Sequence, residues 1–453
     1  MNSILKFLKP RTALLAGLAA LGLVQAAHAV LPIQHWQQAS GARVYLVESR
    51  NIPMVDVQID LDAGSRRDPA DQAGLASAVA GQLASGIRAL PGGRGADGQP
   101  LDENQVGEAW ADLGASFNLG AGADRFSLTL RSLTRPTVLD AAIRLAARHL
   151  GDASLDPDLW ARDRARSLAS LKESLTRPGT QVERAYARAV FGDHPYGREV
   201  TEASLQAITV ADMAEFIQTH LRACRARVSV VGALDREQVR ERVTQLLAQL
   251  PTDVQCAPLP NLPPVQALRE AQNLRITLAT AQSHVRLGQP GIARNDPDFF
   301  TLTVGNYVLG GGGFVSRLTE QVREKRGLSY SVYSYFAPGL QPGAFTIGLQ
   351  TRPDQAEQAV QVARDVLSTF VREGPSEREL RAAKDNLVGG FALRLDSNRK
   401  LLDNLANMHW NDLPLDYLET WTRQVEAVTT AQIRQAFGRV IQPDRLVQVI
   451  VGP

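Results

Sequence analysis

Histidine is scarce in this chain and nowhere clustered: positions 35, 149, 194, 220, 284 and 409 lie at least 26 residues apart, and only His28 precedes them. That spacing excludes a metal site built from one contiguous motif. No Gly-x-Ser-x-Gly elbow accompanies a plausible triad, so a serine hydrolase of that type is excluded as well. Four consecutive glycines, 310 to 313, are not followed by Gly-Lys-Ser or Gly-Lys-Thr, and this removes the phosphate-loop reading. Beyond residue 29 no apolar run is long enough for a membrane-spanning helix. A surplus of charge is missing too, with 49 Lys and Arg against 47 Asp and Glu, so nothing points to nucleic acid or an anionic membrane as partner.

Residues 1–29 read as an export signal: Lys6, Lys9 and Arg11 precede the apolar run from Thr12 to Val24, and Ala27-His28-Ala29 is a small-x-small cleavage site. Cleavage after Ala29 removes three basic residues and leaves 46 basic against 47 acidic ones, a net charge of about −1. The expected location is a bacterial periplasm. Cys224 and Cys256 would persist there either as a disulfide or as two separate thiols, and spacing alone leaves both open.

The chain repeats itself. Arg66-Arg-Asp-Pro69 is echoed by Arg294-Asn-Asp-Pro297, and the 23 steps from Thr209 to Gly232 match those from Thr429 to Gly452, each a helix start leading to an apolar strand. Two homologous halves follow, expected at 30–250 and 276–453 and joined by a linker at 251–275 whose stretch from Pro251 to Pro264 holds five prolines. Strands at 55–61, 126–130 and 345–349 alternate apolar with polar, and helical patterns cover 137–150, 157–175, 354–370 and 377–391. The fold class expected is α+β, with antiparallel-rich sheets covered by helices. Pro91 to Pro100, rich in glycine, reads as a surface loop.

One stretch carries more: Ala63-Gly-Ser-Arg-Arg-Asp-Pro-Ala-Asp-Gln-Ala-Gly74-Leu-Ala-Ser77-Ala-Val-Ala80-Gly81. It resembles the entrance to the zinc helix of the pitrilysin/insulysin-type metallopeptidases, whose motif is H-x-x-E-H. In that frame the two ligand positions and the general base fall on Ser77, Gly81 and Ala80. The resemblance places the third ligand, a glutamate in the family, at Ser170, counted back from Phe191-Gly-Asp-His-Pro-Tyr-Gly197, with Glu173 close by. None of the four positions offers a zinc donor set or a base, so the resemblance implies no metal on this chain. Gly81 is expected to mark close helix packing.

A second block, Gly310-Gly-Gly-Gly313-Phe-Val-Ser-Arg317-Leu-Thr-Glu-Gln-Val-Arg323-Glu-Lys-Arg-Gly327-Leu-Ser-Tyr330, reads as a helix over 314–326 with Val315, Leu318 and Val322 on one face, then a strand. By spacing alone Arg323 would cap that helix or pair with Glu320 or Glu324, and Tyr330 would be a packed strand aromatic. The block resembles the family's second-half signature, which makes Arg323 and Tyr330 the pair that holds substrate. Gly310, Gly311, Gly312 and Gly313 then let backbone pass close to substrate or to the neighbouring half. The resemblance runs from about Trp36 to Pro453 and is nearest to two-chain enzymes such as the mitochondrial processing peptidase. It implies a non-catalytic, substrate-binding subunit of a heteromeric periplasmic zinc peptidase, whose partner is a homologous zinc-bearing subunit and whose substrate is an unfolded oligopeptide. The alternatives are a stand-alone peptide-binding protein and a structural scaffold subunit.

Overall fold

The computed structural model describes residues 32–89, 98–251 and 256–453. Residues 1–29, read as a signal, and most of the Pro91 to Pro100 loop lie outside them. Eleven strands among the described residues form two sheets. The first contains β1 (Ile33–Gln37), β2 (Arg43–Glu48), β3 (Met54–Leu61), β4 (Ser116–Ala121), β5 (Phe126–Leu133) and β6 (Arg227–Gly232), in the order β1-β2-β6-β3-β5-β4. The second contains β7 (Gln272–Thr277), β8 (Ser283–Pro290), β9 (Ser329–Phe336), β10 (Ala344–Thr351) and β11 (Val447–Gly452), in the order β7-β11-β8-β10-β9.

Apart from β1, the two sheets have one topology. β2 pairs parallel with β6 as β7 does with β11, and every other neighbouring pair in both five-strand sets is antiparallel. The sequence repeat maps onto equivalent parts: Thr209 and Thr429 each cap a helix reciprocally with the residue three ahead, and those helices lead to β6 and β11. Strand β5 alternates buried Phe126, Leu128 and Leu130 with half-buried polar residues, as a sheet with helices on one face requires. Each half has its own apolar core, one drawn from residues 42–250 and one from 285–450.

The halves also exchange helices. The helix Pro178–Phe191 belongs to the first half by sequence, yet Val182, Tyr186 and Val190 pack on Val447, Val449 and Val451 of the second sheet. Tyr186 donates to the Phe345 carbonyl at 2.7 Å, and Glu183 accepts from Arg286 at 2.7 Å. Reciprocally, Leu401, Leu402, Leu405 and Met408 of the helix Asn398–Trp410 pack on Val47 and Val231 of the first sheet. The hairpin tips meet as well, where Leu340 N–H donates to Asp124 at 2.9 Å.

Cys224 and Cys256 form a disulfide with Cα atoms 5.9 Å apart, so the sequence's open choice resolves to a bridge. It pins the start of the proline-rich connector to the turn that precedes β6. Ala257 and Pro260 carbonyls then accept from Arg225 at 2.7 Å and Arg67 at 2.6 Å, which holds the connector along the surface.

Candidate functional site

The helix Leu75–Ser85 begins at Gly74, whose φ of 107° only glycine adopts readily. Its first amides are taken up by Asp68, which accepts from Gly74 N at 2.8 Å and Ala76 N at 2.9 Å. Burial pushes the Asp68 carboxyl up to about 6 despite those bonds. The Arg-Arg-Asp-Pro frame thus serves the helix rather than a reaction.

Ser77 and Gly81, one turn apart, line a cavity of about 510 Å³ together with Ser170, which lies across from them on the helix Pro157–Ser174. The counted position of the third ligand thus lines the same cavity as Ser77 and Gly81. Glu173 lies outside the cavity and pairs with Arg177 at 2.6 Å. Ala80 is turned into the core, only 5% exposed. Gly81 is not a close-packing position: a Cβ built there meets nothing within 4 Å, so the expected tight helix contact is absent and the room an imidazole needs is present. The cavity's one carboxylate, Asp163, is held by Gln82 at 2.9 Å and Arg166 at 3.1 Å. Hydroxyls from Ser77, Ser167, Ser170 and Ser174 complete a neutral polar rim.

Zinc does not fit these residues, which offer neither an imidazole nor a free carboxylate pair. Among the described residues no group of three or more His, Cys, Asp or Glu could hold a metal ion. The nearby His149 is committed elsewhere: Nδ1 lies 2.6 Å from the Leu83 carbonyl, so it is the donor there, and Nε2 accepts from Trp110 Nε1 at 3.1 Å. Burial lowers its pKa to about 4, and the neutral ring locks the Leu75–Ser85 helix to the helix Pro136–Gly151.

The second block departs from the expected helix. A single turn at Gly313–Val315 is followed by π-helical backbone at Thr319–Glu324, so Leu318 and Val322 are buried while Val315 is 72% exposed. The early turn breaks the periodicity and throws Phe314 out as well, 67% exposed. Arg323 lies between two rings, its guanidinium carbon 4.7 Å from the Phe314 centroid and 4.6 Å from that of Tyr330. It has no carboxylate partner among the described residues; Glu320 pairs with Lys325 at 2.8 Å instead. Neither the cap nor the ion pair that spacing alone allowed is formed.

Tyr330 is 81% exposed, so it is not the packed strand aromatic. Its direction comes from a β-bulge. Gln350 pairs with Ser331 and Thr351 with Ser329, which leaves Tyr330 as the extra residue. Beyond the bulge the even residues Val332 and Ser334 are buried, whereas before it the odd Ser329 is. Tyr330 therefore shares its exposure with Ser331, Tyr333 and Tyr335 on β9, an edge strand with one side of its backbone unpaired in the sheet. Arg317 anchors the segment below by a two-pronged bond to Glu379, 2.7 Å on each side.

The glycines divide. Gly310 is buried, and a Cβ there would lie 2.6 Å from Ser334 N on β9, so it serves close packing within its own half rather than substrate or the other half. Gly311 and Gly312 face Asn306 and Tyr307 at similarly short range. Gly313, with φ of 61° and open space around it, makes the turn that exposes Phe314. Arg323 and Tyr330 touch each other but do not line the cavity that contains Ser77, Gly81 and Ser170. Sequence reasoning missed Phe314 as the second ring, and the sequence signal available was the Gly-Phe step after the glycine run.

Comparisons with known proteins agree with this anatomy. The family model described as "Peptidase M16 inactive domain" matches residues 207–387. A crystal structure described as a peptidase M16 inactive domain from Pseudomonas fluorescens superposes with a TM-score of 0.86 at 32% identity, over 93% of this chain and 98% of that one. An uncharacterized zinc protease of Streptomyces coelicolor is 30% identical over 283 residues, 61% of each chain, so this chain spans less than two thirds of that relative. A Helicobacter pylori protein named a non-peptidase homolog is 24% identical over 88% of this chain and 89% of its own length. The chain belongs to the M16 peptidase family. The segment 207–387 is the part matched to the family's inactive domain.

Proposed function

We propose that this chain is the substrate-binding, non-catalytic subunit of a heteromeric periplasmic zinc peptidase that degrades unfolded oligopeptides. The zinc and the general base would come from a homologous partner with an intact H-x-x-E-H helix, and Arg323 and Tyr330 would reach into the partner's site. One observation carries the reading: an arginine without a carboxylate partner among the described residues, flanked by two exposed rings, stands beside an outward tyrosine on an open edge strand and away from the chain's own relict cavity. An outward phenol and a half-buried cation without a carboxylate partner among the described residues add little to folding. They suit an acceptor that arrives from outside.

The chemistry asked of the pair is simple. The guanidinium, within 5 Å of both ring centroids, can offer its N–H groups to a peptide carbonyl or carboxylate. The phenol can donate to the oxygen that becomes negative as the carbonyl is attacked. The unpaired edge of β9 offers backbone N–H and C=O groups to an extended peptide, which aligns it beside both side chains. The test is reconstitution. Mixing the purified chain with a zinc-bearing homologue encoded beside it should produce peptide hydrolysis that neither shows at the same level alone, together with a complex on a sizing column. A partner fully active alone and unchanged by the mixture, with no complex, would overturn the proposal.

A further inference from the structure

Where the two halves and the connector meet, a cavity of about 370 Å³ is lined by Arg43, Arg67, Arg225 and Arg227. The fold gathers them. β2 and β6 run parallel and both begin at this end of the first sheet, with Arg43 directly paired to Arg227. β3 runs the other way beside β6 and ends here, which brings Asp62 to the same rim. The disulfide holds Cys256 at Cys224, so the connector from Ala257 onward lines one side of the cavity, and Trp410 and Leu340 line it from the second half.

The charges do not balance. Asp62 accepts both prongs of Arg67 at 3.0 and 2.6 Å. Asp412 is shared by Arg43 at 2.8 Å and Arg227 at 2.9 Å. Arg225 reaches only the carbonyls of Thr219 at 2.5 Å and Ala257 at 2.7 Å, with no carboxylate partner among the described residues. Among the described residues the four guanidinium groups thus meet two carboxylates, and one of these, Asp62, is shared with Arg66 at 2.6 Å as well, so the open cavity carries an excess of positive charge. Burial and Arg222, opposed by Asp62, push the Arg225 guanidinium down from its ordinary value.

We propose that this cavity binds a small dianionic oxyanion, a phosphate or a dicarboxylate, that ties the connector to both halves. Planar guanidinium forks match both oxyanions, and the excess of positive charge among the described lining residues favours a dianion. A cavity of about 370 Å³ suits a small molecule. The proposal stands apart from peptide handling, since none of the four arginines belongs to the Arg323 block.

Isothermal titration of the oxidised full-length mature chain, with sodium phosphate and separately with sodium succinate at constant ionic strength, tests it; sodium acetate serves as the monoanion reference. Saturable binding of at least one dianion and none of acetate is expected, and the tighter dianion identifies the source. Arg225→Gln should weaken it about tenfold or more, the loss of charge-assisted bonds. Arg43→Gln, at a half-exposed position that folding tolerates, should weaken it also, while Arg352→Gln on the far surface should not. Absence of saturable binding by either dianion, or affinity unchanged in both cavity variants, would overturn the proposal.

Discussion

Tyr330 owes its position to one inserted residue in β9, and its worth is measurable because so little else depends on it. An 81% exposed phenol contributes almost nothing to packing, so Tyr330→Phe should leave the melting temperature unchanged. Arg323→Ala removes a half-buried stem and two ring contacts, and should weaken peptide binding and turnover together in the reconstituted pair. The relict cavity gives a second residue-scale prediction. Gly81 sits inside a helix with open space around its α-carbon, so Gly81→Ala should stabilise the chain by up to about 1 kcal/mol, read from denaturant midpoints. Placing His, Glu and His at 77, 80 and 81 should still yield no stoichiometric zinc peptidase, because Ser170 supplies no third ligand. The new carboxylate at the buried position 80 should lower the melting temperature, which Gly81→His alone should not do.

At the scale of elements, much was legible and the exceptions share a cause. The helices at Pro157–Ser174 and Glu377–Gly389 and the strands β3, β5 and β10 follow from uninterrupted periodicity. The segment after the glycine run was not legible, because Gly313 in a left-handed turn resets the phase and the π-helical stretch from Thr319 shifts it again. No periodicity rule sees a β-bulge either, and the bulge decides where Tyr330 points. The exchange of helices between halves is equally hidden, since an amphipathic helix does not say which sheet it covers. What holds the irregular segment in place can be tested by pH. Hydrogen bonds from Arg317, then the Ser376 cap, lower the Glu379 carboxyl to about 2. A carboxyl depressed in the fold stabilises above its unfolded value, and that contribution fades as pH falls from about 4.5 through 2. Glu379→Gln should lower stability at pH 7 and flatten the loss over that window, as seen by near-ultraviolet circular dichroism.

For the molecule as a whole, the joint between halves sets both stability and geometry. His409 lies in the helix lent to the first sheet, stacked on Tyr45 at 3.9 Å, and burial followed by Arg227 and Arg43 lowers its pKa to about 3. The folded ring stays neutral, so between pH 6.5 and about 3 the unfolded chain binds the extra proton and the stability present at neutral pH is lost on acidification. His149 adds the same sign in the first core, with a folded value of about 4. Thermal melts from pH 7 to 5 should show a falling midpoint, and His409→Phe should flatten the share that belongs to the joint. Reducing the Cys224–Cys256 bridge should cost about 3–4 kcal/mol by freeing a loop of some thirty residues, in the chain-entropy account. The central claim is that a chain without a zinc site supplies an arginine and a tyrosine to a site in another chain. Its most direct test is the steady-state turnover of peptide by the reconstituted pair with Tyr330→Phe, beside a sizing assay of the complex. The account predicts an intact complex whose turnover falls by about 10² to 10³, the usual loss of one donor to a developing oxyanion. Full turnover with the complex intact would contradict it.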